Sequence, residues 1–239
     1  MTAVTATAKS NRTINFLKKG AKLDMKYKFV LFDLDGTITD PFEGITNSII
    51  YALKKFGIEE TDKNKLAAFI GPPLVDSFAK YYGFSHGCAL ASVGYYREYY
   101  GDKGIFECML YDGIAELLRG LKDSGVKVIM ATSKPEFFAE KLMKHYEIDG
   151  CFAAICGATM NEKRTNKDEV IAYALEKAGV DNPDDCIMVG DRKFDVDGAK
   201  KLGMKSVGVT YGYGSREEIE KADPTFIAHS VEQLKQILM

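Results

Sequence analysis

The sequence has few of the residues that build disulfide frameworks or zinc sites. Its 239 residues include five cysteines, with no CxxC pair among them, and three histidines that lie far apart along the chain. An odd number of scattered cysteines is typical of reduced thiols, and the histidines have no cysteine at the spacing of a zinc site. The composition therefore argues against a disulfide scaffold and against zinc, and it favours a cytoplasmic location.

Long apolar runs and an excess of charge of either sign are also missing. No run approaches the ~20 apolar residues that cross a bilayer, and 32 basic residues against 34 acidic ones leave a net charge of −2. Without a strong positive field, neither a nucleic acid polymer nor a membrane is expected as a partner. We expect a small-molecule partner and a monomer or small homo-oligomer.

What the sequence does contain is the composition of an ordinary globular protein, with 46% hydrophobic and 28% charged residues. At roughly 150 residues per domain, the length predicts one large domain or a core with a smaller insertion. Residues 1–24 are rich in Thr, Ala and Lys and lack the apolar stretch of a secretory signal. We expect them to form a flexible N-terminal tail.

From Tyr27 onward, short apolar runs alternate with amphipathic segments of helix length. The runs are YKFVLFD, KVIMATS, FAAICGA, CIMVGD, KSVGVT and TFIAH. Strands separated by helices predict parallel pairing with crossovers, and uninterrupted apolar runs are typical of strands buried on both faces. We therefore predict an α/β fold with a doubly wound, Rossmann-like parallel sheet.

The segment between the first two predicted strands is too long for a single crossover, and its periodicity is that of several helices. We predict that residues 41–111, called the helical insertion below, form an inserted all-helical cap domain. Residues 25–40 and 112–239 would form the core domain. Turn-forming residues at both ends of the insertion predict two hinges, which would let the cap move over the edge of the sheet.

Polar residues follow the predicted strands at the ends where an open parallel sheet binds its ligands. They are Asp33 and Asp35 after the first strand, Thr132, Ser133 and Lys134 after the second, Lys167 at the start of a helix, and Asp191 and Asp195 after CIMVG. Converging carboxylates repel each other unless a divalent cation lies among them, and an oxygen-only donor set favours Mg²⁺. A lysine and hydroxyls that can hold phosphoryl oxygens then indicate phosphoryl transfer.

Each of these signals is weak alone. A threonine after a strand is usually a helix N-cap, and a single lysine is usually a solvated helix residue. The DxDG segment also begins like a calcium loop, but Thr37 and Ile38 stand where that loop needs an acid or amide and then a glycine. The catalytic interpretation is favoured because the Asp33–Asp35 pair, the Thr132–Ser133 hydroxyls, Lys167 and the Asp191–Asp195 pair all occur, in this order, in one chain.

The segments FDLDGTITD, ATSK, the lysine of RTNKDEVI, and VGDRKFD resemble, in this order, the four motifs of the haloacid dehalogenase superfamily of phosphatases. The resemblance runs from Tyr27 to about Leu238. The insertion and the segments FIGPPL, ATSKPEFFAEKL and YGYGS are similar to the branch described as phosphoglycolate phosphatase-like or 5′-nucleotidase-like. This resemblance implies a Mg²⁺-dependent hydrolase of a small phosphorylated metabolite, with phosphoglycolate or a nucleoside 5′-monophosphate as the leading candidates.

The resemblance also implies a role for each motif residue. Asp33 would attack phosphorus and form an aspartyl-phosphate, and Asp35 would protonate the leaving alcohol and then activate water. Mg²⁺ would be bound by Asp33, the backbone carbonyl of Asp35 and Asp191. Asp195 would hold a water molecule bound to the metal without contacting the metal itself. The phosphoryl group would be held by Thr132, Ser133 and Lys167.

Residues of the insertion near the hinge and its inner loop are expected to contact the leaving group. They are Phe42, Glu43, Gly44 and Pro72. Lys134 and Arg192, each next to a motif residue, would meet a second negative charge of the substrate or lie solvated on the rim, and the sequence leaves both options open.

Two further patterns complete the sequence predictions. Seven aromatic residues of the insertion, at helical spacing, favour core packing over a base-stacking platform: Tyr81, Tyr82, Phe84, Tyr95, Tyr96, Tyr99 and Tyr100. Gly212 and Gly214 do not complete a GxGxxG motif, because Glu217 occupies the third position, and they predict a turn near the active edge.

Three alternative functions stay open. A pyrophosphatase or a phosphomutase of the same superfamily would use the same carboxylates. A phospho-aspartate signalling module also places an Asp, a Thr or Ser and a Lys on a parallel sheet. Asp35 argues against that module, because an acid–base group two residues after the nucleophile favours rapid loss of the phosphoryl group.

Overall fold

The computed structural model of the protein describes residues 26–161 and 164–239, so the predicted tail at residues 1–24 lies outside the described residues. The strands are β1 (Phe29–Phe32), β2 (Thr39–Asp40), β3 (Met109–Leu110), β4 (Lys127–Pro135), β5 (Phe152–Ala158), β6 (Cys186–Gly190), β7 (Lys205–Val209) and β8 (Phe226–Ala228). The helices are α1 (Phe42–Lys54), α2 (Lys63–Leu66), α3 (Leu74–Tyr82), α4 (His86–Asp102), α5 (Ile114–Asp123), α6 (Glu136–His145), α7 (Lys167–Ala178), α8 (Lys193–Lys201), α9 (Arg216–Ala222) and α10 (Val231–Leu238).

Six of the strands form one parallel sheet in the order β5-β4-β1-β6-β7-β8. Because β1 pairs with both β4 and β6, the chain leaves β1 toward one half of the sheet and later returns to build the other half. Such a switch in strand order opens a crevice at the carboxyl ends of the central strands. The predicted α/β class with a doubly wound parallel sheet is confirmed.

The central strands are buried on both faces, which explains their uninterrupted apolar runs. Val30 and Phe32 belong to the buried cluster that includes Leu117 of α5. Leu31, between them, belongs to the cluster on the opposite face with Ile171 of α7. Successive strand side chains point to opposite faces, and each such side chain contributes about 1.5–3 kcal/mol when fully buried.

The helical insertion leaves and rejoins the sheet through a short antiparallel pair, in which Thr39 of β2 faces Leu110 of β3. Helices α1 to α4 lie between these two strands, as the sequence predicts. Aromatic rings fill the interior of the insertion; Phe69 and Phe78, for example, meet edge to face at 5.2 Å. Within the described ranges, none of the helices is long and apolar enough to cross a membrane.

Gly44 in α1 marks a close contact between α1 and the 3₁₀ turn Gly104–Phe106. A Cβ at Gly44 would lie 1.9 Å from the carbonyl oxygen of Gly104. Gly44→Ala is therefore expected to destabilise the protein by about 1–3 kcal/mol, since overpacking forces the backbone apart. Thermal unfolding followed by circular dichroism measures this as a lower Tm, by about 2–4 °C per kcal/mol for a chain of this size.

Gly94 provides the matched control, because it is also a glycine inside a helix but a Cβ there meets no atom of another described element within 4 Å. Gly94→Ala is expected to raise stability by about 0.5–1 kcal/mol through helix propensity. If Gly44→Ala unfolds at the wild-type temperature or above, the close contact between α1 and the 3₁₀ turn is wrong.

Candidate active site

Three carboxylates meet at the carboxyl ends of the neighbouring strands β1 and β6. Asp33 directly follows β1, Asp191 directly follows β6, and Asp195 lies in the first turn of α8. One carboxylate oxygen from each of the three lies within 4.8 Å of the other two. All three side chains are buried. The structure thus brings together residues that are far apart in the sequence, and we call them the acidic cluster.

Lys167, the first residue of α7, connects two members of the acidic cluster. Its Nζ lies 2.7 Å from Asp33 Oδ1 and 2.8 Å from Asp195 Oδ1, and it also donates to the carbonyl oxygen of Ala131 at 3.1 Å. Burial lowers the pKa of Lys167, but attraction to Asp195 and Asp33 outweighs it and raises the pKa above the usual lysine value. Lys167 is therefore a buried, protonated cation and not a solvated helix residue.

Burial is also the main influence on the acids of the cluster. It raises the pKa of Asp191 well above the usual carboxylate range, and repulsion from Asp33 and Asp195 adds to the effect. Burial raises the pKa of Asp195 to about 6, although the attraction of Lys167 opposes the rise. Both acids are therefore harder to ionise here than in water, and a cation among them would favour their charged forms.

The residues present fit a divalent cation. Asp191 Oδ2 accepts a hydrogen bond from the backbone N–H of Tyr213 at 2.7 Å. Asp191 Oδ1 is buried and has no hydrogen-bond partner among residues 26–161 and 164–239. A buried carboxylate oxygen without a partner is costly, and a cation would provide the missing contact. A donor set made only of oxygens suits Mg²⁺ better than zinc.

Asp35 forms a second buried ion pair, with Lys134 at the end of β4. Lys134 Nζ lies 2.8 Å from Asp35 Oδ1, and the two side chains are only 4% and 14% exposed. Lys134 Nζ also donates to the hydroxyl of Tyr100 in α4. Burial raises the pKa of Asp35, and Lys134 opposes that rise. Because α4 covers the end of β4, Lys134 is not a solvated rim charge.

Thr132 and Ser133 lie beside this ion pair, at the same end of β4. Thr132 is buried, and its Oγ1 accepts a hydrogen bond from the backbone N–H of Lys134 at 3.2 Å. Both residues line the cavity described next. Thr132 is thus not a helix N-cap, since Pro135 precedes the first residue of α6.

A cavity of about 820 Å³ lies between the acidic edge of the sheet and the helical insertion. The core side of its wall contains every motif residue named in the sequence predictions except Asp191. The insertion contributes Ile45, Pro72 and the rings of Phe69, Tyr81, Tyr96 and Tyr100. The cavity therefore has a charged floor, and its roof combines these apolar and aromatic residues with the charged residues Asp76, Lys80 and Arg97.

Of the insertion residues predicted to contact the leaving group, Pro72 lines this cavity, whereas Phe42, Glu43 and Gly44 do not. Glu43 is exposed and pairs with Lys63, and Gly44 packs against the 3₁₀ turn. The first turn of α1 packs within the insertion, and Ile45 is the residue of that turn that lines the cavity. A contact of Phe42, Glu43 or Gly44 with the leaving group stays a prediction.

The aromatic residues of the insertion divide into two groups. Tyr82, Phe84 and Tyr95 pack against the main buried cluster, as predicted, and the Tyr99 hydroxyl donates to Glu107. Three of the seven line the cavity, Tyr81, Tyr96 and Tyr100. Tyr96 and Tyr100 are also buried members of the main cluster, as predicted. The helical spacing alone did not separate these groups, because it does not show which face of each helix points to the sheet.

Arg192 and the YGYGS segment have roles that the sequence only partly indicated. Arg192 donates to Glu218 at 2.9 Å and to the carbonyl oxygen of Ile70 in the insertion at 2.6 Å, so it joins the core to the insertion. A Cβ at Gly212 would lie 2.5 Å from the Cβ of Asp191, so this bend passes directly over the acidic cluster. The predicted turn near the active edge is confirmed, but the contact of Tyr213 N–H with Asp191 was missed.

The doubly wound sheet, the helical insertion and the charged floor define an α/β enzyme whose site lies at the carboxyl edge of the sheet. The chain belongs to the haloacid dehalogenase-like hydrolase family, which matches residues 30–209. The predicted family and enzyme class are confirmed.

Individual relatives match nearly the whole chain. A 5′-nucleotidase of Pseudomonas aeruginosa is 42% identical over 214 residues, which cover 90% of this chain and 96% of that protein. The tyrosine-protein kinase PtkA of Mycobacterium tuberculosis is 35% identical over 213 residues, 88% of this chain and 72% of that protein. The crystal structure of a predicted phosphatase from Clostridium acetobutylicum is 46% identical, with a TM-score of 0.85 over 88% of this chain and 97% of that one.

Proposed function

We propose that this protein is a Mg²⁺-dependent phosphomonoesterase that forms an aspartyl-phosphate at Asp33, with a nucleoside 5′-monophosphate as substrate. One observation carries the proposal. The carboxylate of Asp33 lies 2.7 Å from the ammonium of Lys167, belongs to the acidic cluster, and lines the same cavity as Asp35. A nucleophile, a neutralising cation and an acid–base group therefore share one site.

In the first step, a carboxylate oxygen of Asp33 attacks phosphorus, and the bond between phosphorus and the leaving oxygen breaks in line with the attack. Lys167 offsets negative charge on Asp33 and on the phosphoryl oxygens. Thr132 and Ser133 would hold those oxygens with their hydroxyls. Asp33, Asp191 and the backbone carbonyl of Asp35 would hold Mg²⁺, which would supply positive charge to offset the carboxylates and the phosphate.

Asp35 acts in both steps. Burial raises the pKa of Asp35, so the carboxyl group can carry a proton and give it to the leaving alcohol oxygen. The resulting carboxylate then takes a proton from the water that attacks the aspartyl-phosphate, which regenerates Asp33 and releases inorganic phosphate. General acid–base catalysis of this kind contributes about 10²–10⁴-fold.

We further propose that residues 41–111 form a cap domain over a core of residues 25–40 and 112–239. The β2–β3 pair connects the two parts and is the place for a hinge. Support comes from the cavity, whose floor belongs to the proposed core and whose roof belongs to the insertion. A closed cap would keep bulk water from the site during phosphoryl transfer.

The cavity favours a nucleoside 5′-monophosphate over phosphoglycolate and pyrophosphate. Its volume of about 820 Å³ falls in the ≈ 300–1,000 Å³ range of pockets that bury drug-sized ligands. Phosphoglycolate and pyrophosphate would leave most of that space empty. The ring of Tyr81, which is exposed, lines the wall and offers apolar surface to a base. The 42% identity to a 5′-nucleotidase supports the same substrate class.

Release of inorganic phosphate from a substrate panel, with and without Mg²⁺, tests the proposal. The panel contains nucleoside 5′-monophosphates, phosphoglycolate, sugar phosphates, pyrophosphate and, because one relative is named a tyrosine kinase, phosphotyrosine. We expect Mg²⁺-dependent release with the highest kcat/KM on a nucleoside 5′-monophosphate.

Other results of this panel would overturn the proposal in distinct ways. A higher kcat/KM on phosphoglycolate or pyrophosphate would replace the substrate class. Formation of an isomer without release of phosphate would indicate a phosphomutase. A phosphoprotein that persists for minutes would indicate a signalling module.

A further inference from the structure

We propose that Lys134 and Tyr100 are positioning residues, which hold the carboxylate of Asp35 for proton transfer to the leaving group and complete the acid–base site when the insertion covers it. The inference rests on the proposed function, since it takes Asp35 to be the acid–base group. It adds two residues that none of the four motif roles includes.

The first observation is the buried row Asp35, Lys134 and Tyr100. Lys134 Nζ lies 2.8 Å from Asp35 Oδ1 and donates to the Tyr100 hydroxyl. The Lys134 side chain is 4% exposed, so little water competes for these contacts and each is stronger than it would be at the surface.

The second observation is that the row crosses from the core to the insertion. Lys134 lies in β4, next to its last residue, and Asp35 lies just after β1, whereas Tyr100 belongs to α4. The ring of Tyr100 is fixed from two sides, since it stacks on Tyr96 at 5.2 Å and meets Phe138 edge to face at 5.3 Å. The hydroxyl of Tyr100 therefore has a defined position only while α4 lies on the core.

The third observation concerns the oxygens of Asp35. Within the part of the chain that the structure describes, Oδ1 is buried and its only polar contact is Lys134. With Oδ1 held in this way, the second oxygen is left for proton transfer to the leaving group. Without Lys134, the carboxylate would lose the contact that fixes its rotation.

The experiment compares two substrates that differ in their need for a general acid. The alkoxide that leaves a nucleoside 5′-monophosphate must be protonated, whereas the nitrophenolate that leaves p-nitrophenyl phosphate is stable without a proton. For Lys134→Met, we expect kcat on the nucleotide to fall by about 10²-fold and kcat on p-nitrophenyl phosphate to fall by less than about tenfold. KM for both should change little.

Two conservative variants complete the series. Tyr100→Phe removes only a hydroxyl, and we expect the same selective loss at a smaller magnitude, about tenfold on the nucleotide. Lys134→Arg keeps a cation that can donate to Asp35 and should recover part of the activity lost in Lys134→Met. These two variants decide the question if Lys134→Met, which leaves a buried carboxylate unpaired, does not fold.

Matched controls remove similar contacts that do not reach Asp35. Lys141 Nζ donates to the carbonyl oxygen of Gly101 in α4 at 2.7 Å, and the Tyr99 hydroxyl donates to Glu107 at 3.0 Å. Lys141→Met and Tyr99→Phe should keep the wild-type ratio of the two activities. If all variants keep the wild-type ratio of the two activities, the contacts among Asp35, Lys134 and Tyr100 contribute only to packing, and the inference is overturned.

Two more outcomes separate this inference from the proposed function. An equal loss on both substrates in Lys134→Met would mean that Lys134 acts on the phosphoryl group, which overturns the positioning role alone. A folded wild-type protein that hydrolyses neither substrate would overturn the proposed function, and this inference with it.

Discussion

The Asp33→Asn variant is expected to lose phosphate release by about 10³-fold or more, because an amide oxygen is a far weaker nucleophile toward phosphorus than a carboxylate. The fold should survive the change. Asn has nearly the same size and shape as Asp, and Lys167 keeps its contact with Asp195 at 2.8 Å. Initial rates on the preferred nucleotide, with thermal unfolding as a check of folding, measure the effect.

Asp185→Asn is the matched control for this variant. Asp185 also forms a 2.8 Å ion pair with a lysine, Lys28, but it precedes β6 and so lies at the opposite edge of the sheet from Asp33. The Asp185→Asn variant should keep wild-type activity, since only a surface ion pair worth about 0–1 kcal/mol is lost. A near-wild-type rate in Asp33→Asn would show that Asp33 is not the nucleophile.

The second large effect is expected from Asp191→Asn, which should separate metal binding from stability. In wild type, saturating Mg²⁺ at about 10–100 times its Kd should stabilise the fold by about 1.4–2.7 kcal/mol. For a chain of this length, that raises Tm by about 3–10 °C. The variant should lose most of this rise and most of its activity, because Asp191 Oδ1 is buried and has no hydrogen-bond partner in the part of the chain that the structure describes.

Without Mg²⁺, the same variant should be at least as stable as wild type. Burial and repulsion from Asp33 raise the pKa of Asp191, so ionising this group costs more free energy in the folded protein than in the unfolded chain. A neutral amide removes that cost. Differential scanning calorimetry with EDTA and with Mg²⁺ measures both quantities. A full Mg²⁺-dependent rise of Tm in Asp191→Asn would place the cation elsewhere.

Much of the core was predictable because it depends on local patterns. Strands buried on both faces need uninterrupted apolar runs, and β1 shows why: Val30 and Leu31 are neighbours in sequence but pack in different clusters. The same reasoning places Asp33 and Asp191 at one edge, since a residue that directly follows a strand must lie at its carboxyl end.

The insertion was harder to predict because its contacts depend on how its helices are rotated against the sheet. Tyr99 and Tyr100 are neighbours on α4, yet only Tyr100 reaches Lys134, whereas Tyr99 contacts Glu107. Adjacent helix residues point about 100° apart, and the sequence does not show which of the two directions faces the core. The same uncertainty explains why Ile45, and not Gly44, lines the cavity.

The stereochemistry at phosphorus tests the central claim, a covalent intermediate at Asp33, most directly. The substrate is the phosphorothioate analogue of the preferred monoester, made chiral at phosphorus with two oxygen isotopes. It is hydrolysed in water labelled with the remaining stable oxygen isotope, so that the inorganic thiophosphate released is chiral and its configuration can be determined. Two successive in-line displacements, the first by Asp33 and the second by water, predict net retention of configuration. Inversion would mean a single direct attack by water, and it would contradict the account whatever the rates of the variants.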